Sequence, residues 1–281
     1  MTLYKHVCHS DGAIVKLNKI AVLICSCALL LPATVPAAVP PLSSAKVTEV
    51  NNVVGYRAEG TTERGAKIDD VIKGADVLRT GERSLAEIQF EDNTITRLGS
   101  KCIFSFDSAS RTFHVDKGLA LICMPKGSGG GHIVTSAITA AIEGTTVIAL
   151  GDGRILFLEG SGIVSTADGR QSKPIHGGQI AFLQNGVLVV SDVLLDPLLN
   201  SWIIKSRSHP LPTWVVIQSV NDTQQKRLHA HKLVVSGTGS GNSPSSPPDI
   251  NDPGYRGEGI IGQLLVSGQP GKKEQPLISG P

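Results

Sequence analysis

The chain has 281 residues and a formal net charge of +2, from 26 Lys and Arg against 24 Asp and Glu; outside residues 1–37 the two signs balance. A near-neutral chain gives no electrostatic reason to expect nucleic acid or another polyanion as partner. With only 4% aromatics, 31 Gly and 16 Pro, the composition favours many turns and short strands over long helices.

The first element is a leader. Lys16 and Lys19 precede a 12-residue apolar run from Ile20 to Leu31, followed by Val35, Pro36, Ala37 and Ala38. The run is the length of a signal-peptide core, is short for a membrane span, and ends in small residues that suit a peptidase. Residues 1–38 therefore read as a cleaved signal peptide, which places the protein in the periplasm or outside the cell. A membrane link is expected only if that leader stays uncleaved. Cys25 and Cys27 lie inside the run and fit a lipid-attachment site poorly.

From 46 to 192 short apolar runs recur every 8–12 residues between turn residues, the pattern of an all-β sandwich or roll. Strands are expected at 52–57 and 76–79. At 86–90, Ala86, Ile88 and Phe90 alternate with Glu87 and Gln89, as in a half-buried strand. Asp92 and Asn93 fit a tight hairpin, with the return strand at 94–98. Further strands are expected at 102–106, 111–115, 119–124, 133–135, 146–150, 155–158, 162–166, 179–183 and 187–190. Lys126 to Gly131 is a glycine-rich loop, and Asn185-Gly186 is a hairpin turn.

Residues 193–236 form a C-terminal extension. Asp196 is placed as a cap, Pro197 suits a first helical turn, and Leu198, Leu199, Trp202 and Ile203 share a face, so one short helix is expected at 197–205. Two last strands are expected at 214–220 and 232–236. From Gly237 to Pro281 the composition turns to Gly, Ser and Pro, which reads as a flexible, disordered tail. Its apolar stretch is Ile260 to Val266.

No set of residues suggests catalysis. There is no nucleophile elbow, and the loop Gly127 to Gly131 lacks the Lys-Ser/Thr of a phosphate-binding loop. Glu63, Asp69, Asp70 and Glu82 lie among turn residues, with no spacing that indicates a glycosidase pair. His229 and His231, two apart, would share a face on a strand, but their basic neighbours point to a solvated surface. His114, His132 and His176 are isolated and expected to be structural. No cofactor and no metal are expected. Cys102 and Cys123 fall in strand-like stretches, where in an oxidising compartment either a disulfide or two buried thiols is possible.

The turn motifs carry the most information. Leu78-Arg79-Thr80-Gly81-Glu82-Arg83-Ser84 precedes Ala86 to Thr94, with the turn at Asp92-Asn93. Gly118, Ile133-Val134-Thr135 and Glu143-Gly144-Thr145-Thr146 follow. In this order, from Val47 to Val190, the sequence resembles the FecR domain family, with Asn93 where the family usually has Gly and Ser136 where it often has Pro. The resemblance implies that Arg79, Thr80, Gly81, Asp92, Asn93, Gly144 and Thr145 are fold-defining turns. Only 19 residues precede the apolar run, too few for the cytoplasmic sigma-binding segment of FecR regulators. The expectation is a non-enzymatic exported module that binds or scaffolds an envelope protein or glycan through loops or a strand edge. The loops at Thr80 to Arg83 and Lys126 to Gly131 are the candidate contacts. The alternatives are a periplasmic signalling component without the sigma-binding segment, and an envelope polysaccharide enzyme with two facing carboxylates.

Overall fold

A computed structural model describes residues 42–205 and 210–237. The leader and nearly all of the tail lie outside the described residues. The rest is all-β, two sheets of nine strands, with one α-helix in the C-terminal region.

In chain order the strands are β1 (Ser44–Asn51), β2 (Val54–Arg57), β3 (Arg64–Gly65), β4 (Val71–Lys73), β5 (Val77–Thr80) and β6 (Leu85–Phe90). Then come β7 (Ile95–Leu98), β8 (Ile103–Asp107), β9 (Thr112–Lys117), β10 (Leu119–Cys123), β11 (Gly131–Val134) and β12 (Ile138–Ile142). The last six are β13 (Thr146–Leu150), β14 (Arg154–Glu159), β15 (Ser161–Thr166), β16 (Ser172–His176), β17 (Gln179–Gln184) and β18 (Val187–Asp192). The first sheet has the order β18-β17-β14-β13-β10-β7-β6-β1-β4, and the second β16-β15-β12-β11-β9-β8-β5-β2-β3. The chain passes back and forth between them, and all neighbours are antiparallel except β9 and β11.

Between the sheets lies one apolar core. Ala86, Ile88 and Phe90 enter it from the first sheet, as their alternation requires, and Phe104, Phe106 and Phe113 from the second. Phe90 meets Phe106 and Phe113 edge-on, with ring centroids 4.9 and 5.4 Å apart.

The first sheet is buried on both faces along its central strands. On β10, β13 and β14, Ala120, Ile122, Val147, Ala149, Ile155 and Phe157 face the other sheet. Leu119, Leu121, Ile148, Leu150, Leu156 and Leu158 face away and pack under Val193, Leu195, Leu198, Ile203, Ile204, Leu211 and Ile217. These continuous apolar strands are the mark of two-sided burial, and the C-terminal extension is the layer that covers them.

Within that layer two expectations change. Residues 197–205 hold only a 3-10 turn, Asp196–Leu198, whose cap is Leu195 with no side-chain bond. Leu195, Leu198, Ile203 and Ile204 are all buried against the sheet, so packing holds the chain in turns. The strands expected at 214–220 and 232–236 are instead one helix, α1 (Trp214–Gly237). Ile217 and Asn221 are buried on its inner side, at helical rather than strand spacing; the β-branched run at Val215, Val216 and Ile217 pointed the other way.

Strands β1, β3, β4, β12 and β16 were not expected. Pro174 sits in β16, where a proline is tolerated because β16 is an edge strand.

Candidate functional site: the motif turns and an open sheet face

The motif turns are pieces of the scaffold. Thr80 is buried; its hydroxyl donates to Gly99 O and accepts from the Cys102 N–H at 2.8 Å. The Gly81 N–H donates to Val53 O, and its own carbonyl accepts from Lys101 N–H, both at 2.9 Å. Arg83, with φ 50°, donates its N–H to Ser100 Oγ. Arg79 is exposed and lies 3.5 Å from Glu63.

Asp92 Oδ1 accepts from the Thr94 N–H at 2.9 Å, while Oδ2 takes the Arg111 guanidinium at 2.7 Å. Asn93 has φ 65°, so the left-handed conformation the hairpin needs is supplied by Asn in place of Gly. Arg111 also donates to Gly130 O at 2.6 Å, which ties the loop at Lys126 to Gly131 to the same hairpin. Gly144 has φ 57°, and a Cβ there would lie 2.6 Å from Lys126 Cγ. Thr145 is buried, with its hydroxyl 2.9 Å from Glu143 O. Both candidate contact loops are thus committed to holding strands together.

Cys102 and Cys123 are free thiols. Cys102 lies in the core between the sheets and Cys123 in the cluster on the far face of the first sheet, so the sheet itself separates them. The disulfide reading is corrected accordingly. Burial pushes both thiols up, away from the thiolate that reactivity requires.

The early carboxylates each have a cation. Asp69 pairs with Lys46 at 2.8 Å, Asp70 with Arg64 at 2.8 Å and Glu82 with Lys101 at 2.6 Å. The Arg64 guanidinium holds Asp70, and the Lys101 ammonium holds Glu82, below the usual carboxylate range. Among the described residues no three His, Cys, Asp or Glu are grouped to hold a metal. His229 lies on α1 rather than on the strand expected there.

The outer face of the second sheet has a different character. Strand register aligns Thr112, His132, Ala141, Ile163 and Pro174 in one row. A second row is His114, Val134, Thr139, Ser165 and Ser172. Over these five strands neither row contains Asp, Glu, Lys or Arg, but the first runs on from Thr112 to the exposed Asp107 of β8, and the exposed Asp116 follows His114 on β9. His132, Ala141, Pro174 and Ser172 are exposed, and Ile163 is 54% exposed. His114 and His132, taken singly, looked structural; on the sheet they stand together on an open face.

No protein-family model matches this sequence. No curated protein matches it either. Solved structures similar to it include two crystal structures of a "putative anti-sigma factor" from Parabacteroides distasonis ATCC 8503, at 11% and 12% identity with TM-scores of 0.37 and 0.36. Each match covers 41% of this chain and 59% of that chain. A likeness of this size bears on neither fold nor function, and the FecR resemblance stands on the turn motifs alone.

Two buried polar groups mark the first sheet. Arg97 and Glu87 form an ion pair at 2.8 Å with side chains 0% and 2% exposed. Arg97 Nη1 also donates to Ile203 O and Ile204 O at 3.0 and 2.7 Å, which fastens the C-terminal layer. Glu159 accepts from the Thr146 hydroxyl at 2.8 Å, and Thr146 meets Thr213 at 2.7 Å just before α1. Burial pushes the Glu159 carboxyl up, while the Thr146 hydroxyl and Lys126 oppose that shift. Both groups sit under the covering layer, so they serve the fold. Nothing in single-sequence patterning joins Glu159 to Thr213.

Proposed function

We propose that the protein is an exported, non-enzymatic, FecR-like binding module of the cell envelope, and that the outer face of its second sheet takes an uncharged glycan chain. The make-up of the two rows from β9 to β16 carries the reading: hydroxyl, imidazole and small apolar groups, with Asp107 and Asp116 at the border with β8. Within the rows an ionic partner would find no counter-charge, whereas hydroxyl, imidazole and small apolar groups suit a ligand with hydroxyls on its rim and C–H groups on its faces. Each row spans about 19 Å, four strand spacings, and the two rows lie about 7 Å apart. Such a strip is well below the roughly 800 Å² per partner that a stable protein pair buries, which favours a linear chain.

Co-sedimentation with insoluble neutral polysaccharides tests this. Binding to at least one member of a panel of glucans, mannan and chitin is expected, insensitive to high salt. Ile163→Asp and Ala141→Asp should each weaken it about tenfold or more, roughly 1.4 kcal/mol or more, with Tm unchanged. Failure across the panel, or binding that both variants retain, overturns the glycan assignment. A protein cross-linked in cells from a photoreactive group at Ser165, and lost in Ile163→Asp, would keep the face as a binding site and change its partner.

A further inference from the structure

Sheet edges invite pairing with other strands, and proteins blunt them. Here β3 has two residues and β4 three, and β16 carries Pro174. The remaining edge, β18, has six residues and no proline, beginning Val187-Leu188-Val189-Val190.

Among the described residues, the side chain of Gln171 meets the backbone on the open side of β18. Its register with β17 sets Leu188 opposite Leu183 and Val189 opposite Phe182. The Leu188 N–H donates to Gln171 Oε1 at 2.9 Å, so it points away from β17. The alternation of an antiparallel ladder turns the peptide groups of Val190 the same way. Gln171 Nε2 donates to Gly186 O at 2.8 Å. A single carboxamide thus occupies a C=O and an N–H two residues apart on the open side of β18.

We infer that β18 is a self-pairing surface which Gln171 holds closed. Two copies of the chain fit antiparallel about a two-fold axis at Val189, with Leu188 opposite Val190 of the second copy. In that register Leu188 and Val190 present their N–H and C=O groups to each other, and the Leu188 N–H is the group Gln171 occupies. Release of the carboxamide to water opens the edge. The nine-stranded first sheets of two copies would then run on as one. Pairing also covers Val190, which is half-buried at the open rim of the core.

The test is self-association of the full chain by analytical ultracentrifugation. Gln171→Ala should dimerise at least about tenfold more tightly than the parent, roughly 1.4 kcal/mol or more. Adding Val190→Pro to it should restore the parental state, since the proline removes an outward N–H and no bond to β17. Adding Val189→Asp should do the same by placing like charges opposite each other at the axis, which covers the case in which the proline variant fails to fold. Amide exchange at Leu188 and Val190 should slow in the dimer. A folded Gln171→Ala that associates no more tightly than the parent overturns the inference. So does a dimer that survives Val189→Asp.

Discussion

Glu159 and Arg97 are both buried ionisable residues, and their surroundings assign them opposite behaviour. Glu159 is 1% exposed, and desolvation raises its pKa above the ordinary value. The folded state therefore binds this proton more tightly than the unfolded chain does. Stability from this group is full below the unfolded pKa, about 4.3, and is lost as pH rises through the folded value. Glu159→Gln keeps the oxygen that accepts from Thr146 and removes the charge. Melting curves between about pH 4 and 8 should show the variant more stable at neutral pH, with the difference vanishing at the acid end. Equal Tm values at neutral pH would show that the charge is relieved in solution.

Arg97 is held by Glu87 and by two carbonyls of the covering layer. Removing one member of a buried pair leaves the other uncompensated, at a cost of about 3–5 kcal/mol. Arg97→Met should show a loss of that size in chemical denaturation. Arg97→Met with Glu87→Leu should recover much of it, because an apolar pair of similar volume restores packing without an orphaned charge. A double variant as unstable as the single would mean that the bonds to Ile203 and Ile204 outweigh the ion pair.

At the scale of elements, the sequence was legible where side chains alternate. Ala86 to Phe90 and Cys102 to Phe106 were placed within a residue or so because one face was polar and the other apolar. Turn chemistry was equally readable: Asn93 and the pair Asn185-Gly186 all adopt positive φ, as their residue types allow. The C-terminal extension was not legible. Leu198, Ile203 and Ile204 answer to the outer face of β10, β13 and β14, a partner far away in the chain, so tertiary packing set their conformation over local propensity. The missing clue was present in Leu119–Cys123 and Thr146–Leu150, whose unbroken apolar runs call for a second covering layer. The candidate face was hidden for a related reason. Its residues come from β9, β11, β12, β15 and β16, and register alone brings them into rows.

At the scale of the whole molecule, three layers share one middle sheet, and β14 shows how tightly they are joined. Leu156 points into the outer cluster and Phe157 into the core between the sheets. Leu156→Ala should cost about 2–5 kcal/mol and Phe157→Ala about 3–5 kcal/mol. The two tryptophans of the chain, Trp202 and Trp214, both pack against the outer cluster, so their fluorescence reports the covering layer while far-UV dichroism reports mainly the sheets. The same strands bound both clusters, so loosening either one weakens the other. Both substitutions should therefore shift a single transition in which the two signals coincide, the mark of two-state unfolding. An early fluorescence change in Leu156→Ala, with the sheets intact, would instead show that the covering layer unfolds by itself and that the outer face of β10, β13 and β14 can be laid open without loss of the sandwich.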